Sequence, residues 1–94
     1  MSLRVGLLSV ELFLPDAQSL KDKRMVLRQV KDRLKKFNVA VSEVEHQDLW
    51  QRARLAVVSV NTDHGHLEST LQSAAGEAEN ARDIQVLDVN TEIL

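Results

Sequence analysis

Residues 3–14 read LRVGLLSVELFL. Val, Leu and Phe recur through this run with Arg4, Ser9 and Glu11 as polar interruptions, the composition of a strand buried on most of its surface. It is far shorter than the roughly 20 apolar residues a bilayer-spanning helix requires. It also has neither the basic leader nor the small-residue cleavage site of a secretory signal, so a cytoplasmic location is expected. A second run of the same character, ARLAVVSVN, occupies 53–61. Two further stretches, VAVSEVEH at 39–46 and IQVLDVNT at 84–91, alternate more openly with polar residues, as edge strands do.

The segment after the first strand carries clear helix punctuation. Pro15 and Asp16 end the strand, Ser19 and Asp22 form a capping-box-like pair, and Asn38 after Phe37 supplies a residue tolerant of the left-handed conformation. The predicted helix runs from Leu20 to Phe37. At 100° per residue Val26, Leu27, Val30, Leu34 and Phe37 share one arc, the face expected to pack on a sheet. Lys23 falls in the middle of that arc, so its stem is expected along the sheet edge, with the ammonium reaching water or meeting an acid. A second helix is predicted over His64–Asn80, after Asn61, Thr62 and Asp63, with Leu67, Leu71, Ala74, Ala75 and Ala78 on one side and Gly76 as a weak point.

Two strand–helix–strand units in succession predict an α+β ferredoxin-like βαββαβ fold. Its four-stranded antiparallel sheet has spatial order 4-1-3-2 and both helices on one face. The two most apolar runs then fall at the centre. Strand alternation places Leu8, Val10, Leu12, Val44, Ala56, Val58, Val60, Leu87 and Val89 under the helices. Val5, Leu7, Ser9, Glu11, Val41, Glu43, Glu45, Leu55, Val57, Ser59, Ile84, Val86, Asp88 and Asn90 are expected on the open face.

Hydrophobic residues make up 44% of the chain and charged ones 28%, the regime of a folded domain rather than of disorder. Ninety-four residues house one core, so residues 1–94 read as a single domain. The absence of cysteine removes disulfides, thiolate catalysis and cysteine-held metal centres. Net charge is only −2, but residues 1–36 hold nine of the twelve Lys and Arg against four acids, whereas residues 37–94 hold three against ten. That segregation is the first pointer to function.

Three blocks in order, Ser19-Leu20-Lys21-Asp22-Lys23-Arg24, then Phe37-Asn38-Val39, then Glu43 to Arg52 (EVEHQDLWQR), resemble the YlxP family of small bacterial domains of unknown function. The resemblance covers essentially the whole chain. It implies a ferredoxin-like fold, no assigned enzymatic activity, and a gene neighbourhood that often includes transcription and translation factors. A role near RNA or the ribosome is what that neighbourhood suggests.

Lys21, Arg24, Arg28, Lys31 and Lys35 fall within about 80° around the first helix and span about 21 Å along it, a stripe able to track a phosphate backbone. Arg52 is expected to extend it. The plainer reading is a solvated face, or cations paired with the chain's own acids. On the open face Val5, Leu7, Val41, Leu55, Val57, Ile84 and Val86 predict an apolar patch, so homodimerisation is expected, through sheet-face stacking or edge-strand pairing. Trp50, between strands two and three, reads either as an interface anchor or as a plug over the sheet end. Glu11, Glu43, Glu45 and Asp88 are expected on the open face as solvated acids, and no metal site is expected of them. His64 and His66, two apart, do not share a helix face, so no zinc site is expected either.

Several functions are disfavoured. The central strands offer Ser9, Glu11, Val57 and Ser59 where an RNA-recognition sheet carries stacking aromatics. Leu14 to Ser19 lacks the glycine and arginine of an acylphosphatase loop, and three glycines leave no Walker or dinucleotide loop. No Ser, His and Asp combination stands out, so neither enzymatic activity nor a cofactor is expected.

Overall fold

A computed structural model describes residues 2–94. The elements are β1 (Arg4–Phe13), α1 (Leu20–Leu34), β2 (Ala40–Glu45), β3 (Arg52–Asn61), α2 (His64–Glu79) and β4 (Gln85–Ile93). The strands form one antiparallel sheet of order β2-β3-β1-β4, which is the expected 4-1-3-2 read from the other edge.

The helix starts follow their caps. Ser19 Oγ accepts from the Asp22 amide at 3.0 Å, while the Asp22 carboxylate accepts from the Gln18 amide at 3.0 Å. Asp63 plays the same part for α2, accepting from the His66 amide at 3.0 Å. Helix α1 stops at Leu34, three residues before the expected end: the Lys35 amide is shared between the Lys31 and Asp32 carbonyls, and Phe37 donates back to Leu34. Asn38 does not take the left-handed conformation, which among non-glycine residues occurs at His46 and Asp83. Asn38 instead ties the turn to β3, its carbonyl accepting from Ser59 Oγ at 2.6 Å and its Nδ2 donating to the Val60 carbonyl at 3.3 Å.

The core lies between the sheet and both helices. Leu8, Val10, Leu12, Ala53, Leu55 and Val57 of the central strands meet Leu27, Val30 and Leu34 of α1 and Leu71 and Ala74 of α2. Gly6 sits where a side chain has no room, since a Cβ there would lie 2.5 Å from Leu71 Cδ1.

The face assignment expected for β1 holds; those for β2, β3 and part of β4 need correction. Antiparallel partners of β1 and β3 run Arg4↔Asn61 to Phe13↔Arg52, so even positions of β1 face odd positions of β3. Leu55 and Val57 are therefore fully buried under the helices, and Val58 and Val60 stand 39% and 47% exposed on the open face. Val41 lies on the helix-covered side, packed against the core, and Val44 is exposed. Two β-bulges complete the change. One skips Val44 between Glu43 and Glu45. The other skips Leu87 between Val86 and Asp88, turning Ile84 and Val86 towards the core and leaving Leu87 exposed, while Val89, opposite Val10, keeps its expected face on the edge strand, 38% exposed. Of the residues expected to form an open-face interface, Val5 and Leu7 are there; Val41, Leu55, Val57, Ile84 and Val86 are not.

Candidate functional site

Helix α1 presents its basic stripe at the side of the sheet where β2 forms the edge. Arg24, Leu27, Arg28, Lys31 and, from β2, Glu43 line a groove of about 240 Å³. Among the described residues Lys21, Arg24, Arg28 and Lys31 have no carboxylate within 4.0 Å; Lys35 pairs with Asp32 at 3.0 Å. Arg33 and Lys36, on the flank towards α2, bond Glu77 at 2.9 and 3.1 Å, and Lys36 above all holds the Glu77 carboxyl below its ordinary range. The cations facing α2 thus share one carboxylate, and most of those facing the groove have none.

Lys23 resolves the anomaly in the apolar arc by meeting an acid. Its side chain is 2% exposed, and Nζ lies 2.7 Å from Glu43 Oε2 while donating to the His46 carbonyl at 2.6 Å. An ammonium withdrawn from water needs such partners. Glu43 follows Val41 onto the helix side, opposite Leu55, and the Val44 bulge then turns Glu45, opposite Arg54, to the open side. The carboxylate lining the groove is therefore neutralised from within.

The chain then turns through His46, whose φ of 66° places a non-glycine residue in the left-handed region. Its carbonyl accepts from the Leu49 amide at 3.0 Å as well as from Lys23, and its Nε2 lies 3.0 Å from Glu11 Oε2. Contacts on both sides of the peptide hold the strained residue in place.

Glu11, a buried acid in the central strand, receives Arg52 Nε and Nη2 at 3.0 and 2.6 Å on Oε2, and Arg54 Nη1 at 3.1 Å on Oε1. Burial pushes its carboxyl upward, but the bonds from Arg52 and Arg54 and the nearby His46 outweigh that and hold it below its ordinary value. Arg52 is thus engaged on the open face and does not extend the α1 stripe. Glu11, Glu45 and His46 each bring a ligand atom within 4.8 Å of the others. Two guanidinium groups already occupy the Glu11 oxygens, where a divalent ion would have to bind. Asp88 stands opposite Glu11 on β4 and is exposed. His64 pairs with Glu68 one helical turn on, while His66 is exposed.

The remainder of the β2–β3 loop is fastened to the segment before α1. Gln51 Nε2 donates to the carbonyls of Pro15 and Ala17 at 3.1 and 3.2 Å, and the Leu14 amide donates to the Gln51 carbonyl at 2.9 Å. On this fixed turn Leu49 and Trp50 are displayed rather than tucked in, at 49% and 52% exposed. With Asp48, Gln51 and Arg52 they line a shallow pocket of about 400 Å³. Of the two readings of Trp50, the plug over the sheet end is not what the structure shows. Sequence reasoning located the stripe, Trp50 and the oddity of Lys23; it missed the Glu11 cluster, for which the only signal was one acid in an apolar run.

With βαββαβ order, one antiparallel sheet and both helices on a single face, the chain is a ferredoxin-like α+β domain. Residues 5–91 match the family described as "Protein of unknown function (DUF503)", and the chain belongs to that family. It is 34% identical over 89 residues to the uncharacterized protein YlxP of Bacillus subtilis, covering 94% of this chain and 97% of that one. Among solved structures it is similar to the uncharacterized protein TM1266 of Thermotoga maritima, with TM-score 0.57 and 17% identity over 99% of both chains. It is also similar to SnoaB, a cofactor-independent oxygenase of Streptomyces nogalater, with TM-score 0.52 and 9% identity over 99% of this chain and 92% of that one. At these identities the structural likenesses are ones of fold. No helix is long and apolar enough to cross a membrane.

Proposed function

We propose that this domain is a non-enzymatic cytoplasmic module that binds RNA, free or within a ribonucleoprotein such as the ribosome, through the α1 groove. The observation that carries the reading is the fate of the cations. Those facing α2 share the Glu77 carboxylate, whereas Arg24, Arg28 and Lys31 converge on one groove without carboxylate partners among the described residues. Lys23 supports the same surface by neutralising Glu43 from beneath. With four contacts, Lys21 at the start of the stripe included, the logarithm of affinity should fall with the logarithm of salt at a slope of about −3 for single strands, a loss of roughly 50-fold between 50 and 200 mM. Binding of structured bacterial RNA at two salt concentrations, for the wild type and for Arg24→Glu/Arg28→Glu, is the test. Absence of binding at low salt, or binding indifferent to the double reversal, refutes the proposal.

A second reading rests on the open face, where Leu7 pairs with Val58 and Val5 with Val60 to form a continuous apolar strip that no helix covers. Such strips favour burial against a second copy. Light scattering at high micromolar concentration should then show a dimer that Val58→Lys dissolves, and a monomer under those conditions removes this reading. The two surfaces lie on opposite sides of the sheet, so both functions are compatible.

A further inference from the structure

We infer that the Leu49–Trp50 turn is a stacking subsite for one unpaired nucleobase, so that the RNA held by the α1 groove is a single-stranded or looped tract rather than a duplex. This rests on the groove reading above and specifies its ligand. The turn lies at the same end of the sheet as the start of α1, fastened to Pro15, Ala17 and Lys23. Glu43 lines the groove, His46 follows three residues later, and the His46 carbonyl is bonded to Lys23 in the first turns of α1. A strand whose phosphates lie on Lys31, Arg28 and Arg24 therefore runs towards the end of the sheet that carries Trp50. Gln51, Leu14 and Lys23 fix the loop backbone, so only the indole rotamer remains to be ordered at the moment of binding.

The surroundings favour a base over a protein partner. Stable protein interfaces bury about 800 Å² on each side, whereas this turn offers two apolar side chains ringed by Gln47, Asp48, Gln51 and Arg52. A nucleobase needs only one aromatic face, and its polar edge suits a neighbouring carboxylate such as that of Asp48. A duplex keeps its bases stacked inside and has none to offer.

Trp50 is the only tryptophan and there is no tyrosine, so intrinsic emission above the phenylalanine band reports this side chain alone. The probes are a fluorescently labelled, unstructured oligoadenylate of about a dozen nucleotides, the matching RNA duplex, and inorganic polyphosphate as an anion without bases. Oligoadenylate should quench Trp50 emission as it saturates, polyphosphate should bind without doing so, and the duplex should bind more weakly than the single strand. Trp50→Ala should weaken oligoadenylate binding by about tenfold while leaving polyphosphate affinity and the salt slope unchanged, and Trp50→Phe should restore most of the loss. Because Trp50 is half exposed, both variants should keep the wild-type far-UV circular dichroism. Oligoadenylate binding, followed by anisotropy of the label, with silent Trp50 emission or with unchanged affinity in Trp50→Ala overturns this inference and spares the groove. A Trp50-dependent self-association also overturns it. Failure of all three probes to bind refutes both.

Discussion

Lys23→Met is the sharpest probe of how the site is held together. Methionine keeps most of the apolar stem and deletes the ammonium, so the Glu43 carboxylate loses its partner at 2.7 Å and the His46 carbonyl keeps only the Leu49 amide. Removing one member of a fully buried ion pair costs about 3–5 kcal/mol, mostly from stranding the other charge. Glu43 is 22% exposed, so water reaches it in part and the lower end applies, about 3 kcal/mol. With a urea m-value of roughly 1.5 kcal/mol/M, the unfolding midpoint should fall by about 2 M. The double variant Lys23→Met/Glu43→Leu removes both charges and should recover most of that loss, because an apolar pair of similar volume often matches a buried salt bridge. Urea unfolding followed by circular dichroism measures both. A single-variant shift below about 0.3 M, or a double variant as unstable as the two single changes added, would refute the view that Lys23 is a buried, obligatorily paired cation.

Two further outcomes follow from the register and from Glu11. Leu55→Ala should cost about 2–5 kcal/mol and Val58→Ala well under half of that, since only the first empties space beneath the helices; equal costs would contradict the β1–β3 pairing. The Glu11 carboxyl lies below its ordinary value of 4.5 in the folded state, so its contribution to stability is fully present above that pH and is lost as pH falls through the folded value. Glu11→Gln should therefore be less stable than wild type at neutral pH, with the gap narrowing below about pH 4.5 in denaturant titrations, and a gap that widens on acidification would be the wrong sign.

The architecture was legible because several levels of the sequence agree. The apolarity of β1 and β3 places them centrally, the Ser19–Asp22 box starts α1 where the apolar period begins, and the strand–helix alternation leaves one topology. The faces of the sheet were less so. In β3 both phases are apolar, with Ala53, Leu55 and Val57 on one side and Ala56, Val58 and Val60 on the other, so alternation carries no sign there. Partner parity decides it, and parity depends on the lengths of distant connections rather than on any residue in the strand. The bulges at Val44 and Leu87 add one residue each, and nothing in VSEVEH or QVLDVN announces them. The stripe on α1 was readable for the opposite reason: a helix has one period, set by its buried residues, and that period places every cation.

Two of the three blocks that carried the family resemblance converge in space. Ser19 to Arg24 meets Glu43 to Arg52 through the Lys23 bonds to Glu43 and His46, and Gln51 reaches back to Pro15 and Ala17 just ahead of the first block. An apolar contact could supply similar stability at that point, yet it could not hold the His46 carbonyl. The buried ammonium meets Glu43 beneath the groove and bonds that carbonyl at once, and so fixes the loop against the start of α1. The start of the cationic helix and the backbone of the Trp50 loop are thereby tied together, which is the preorganisation the proposed site would need for phosphate and base contacts to be made together.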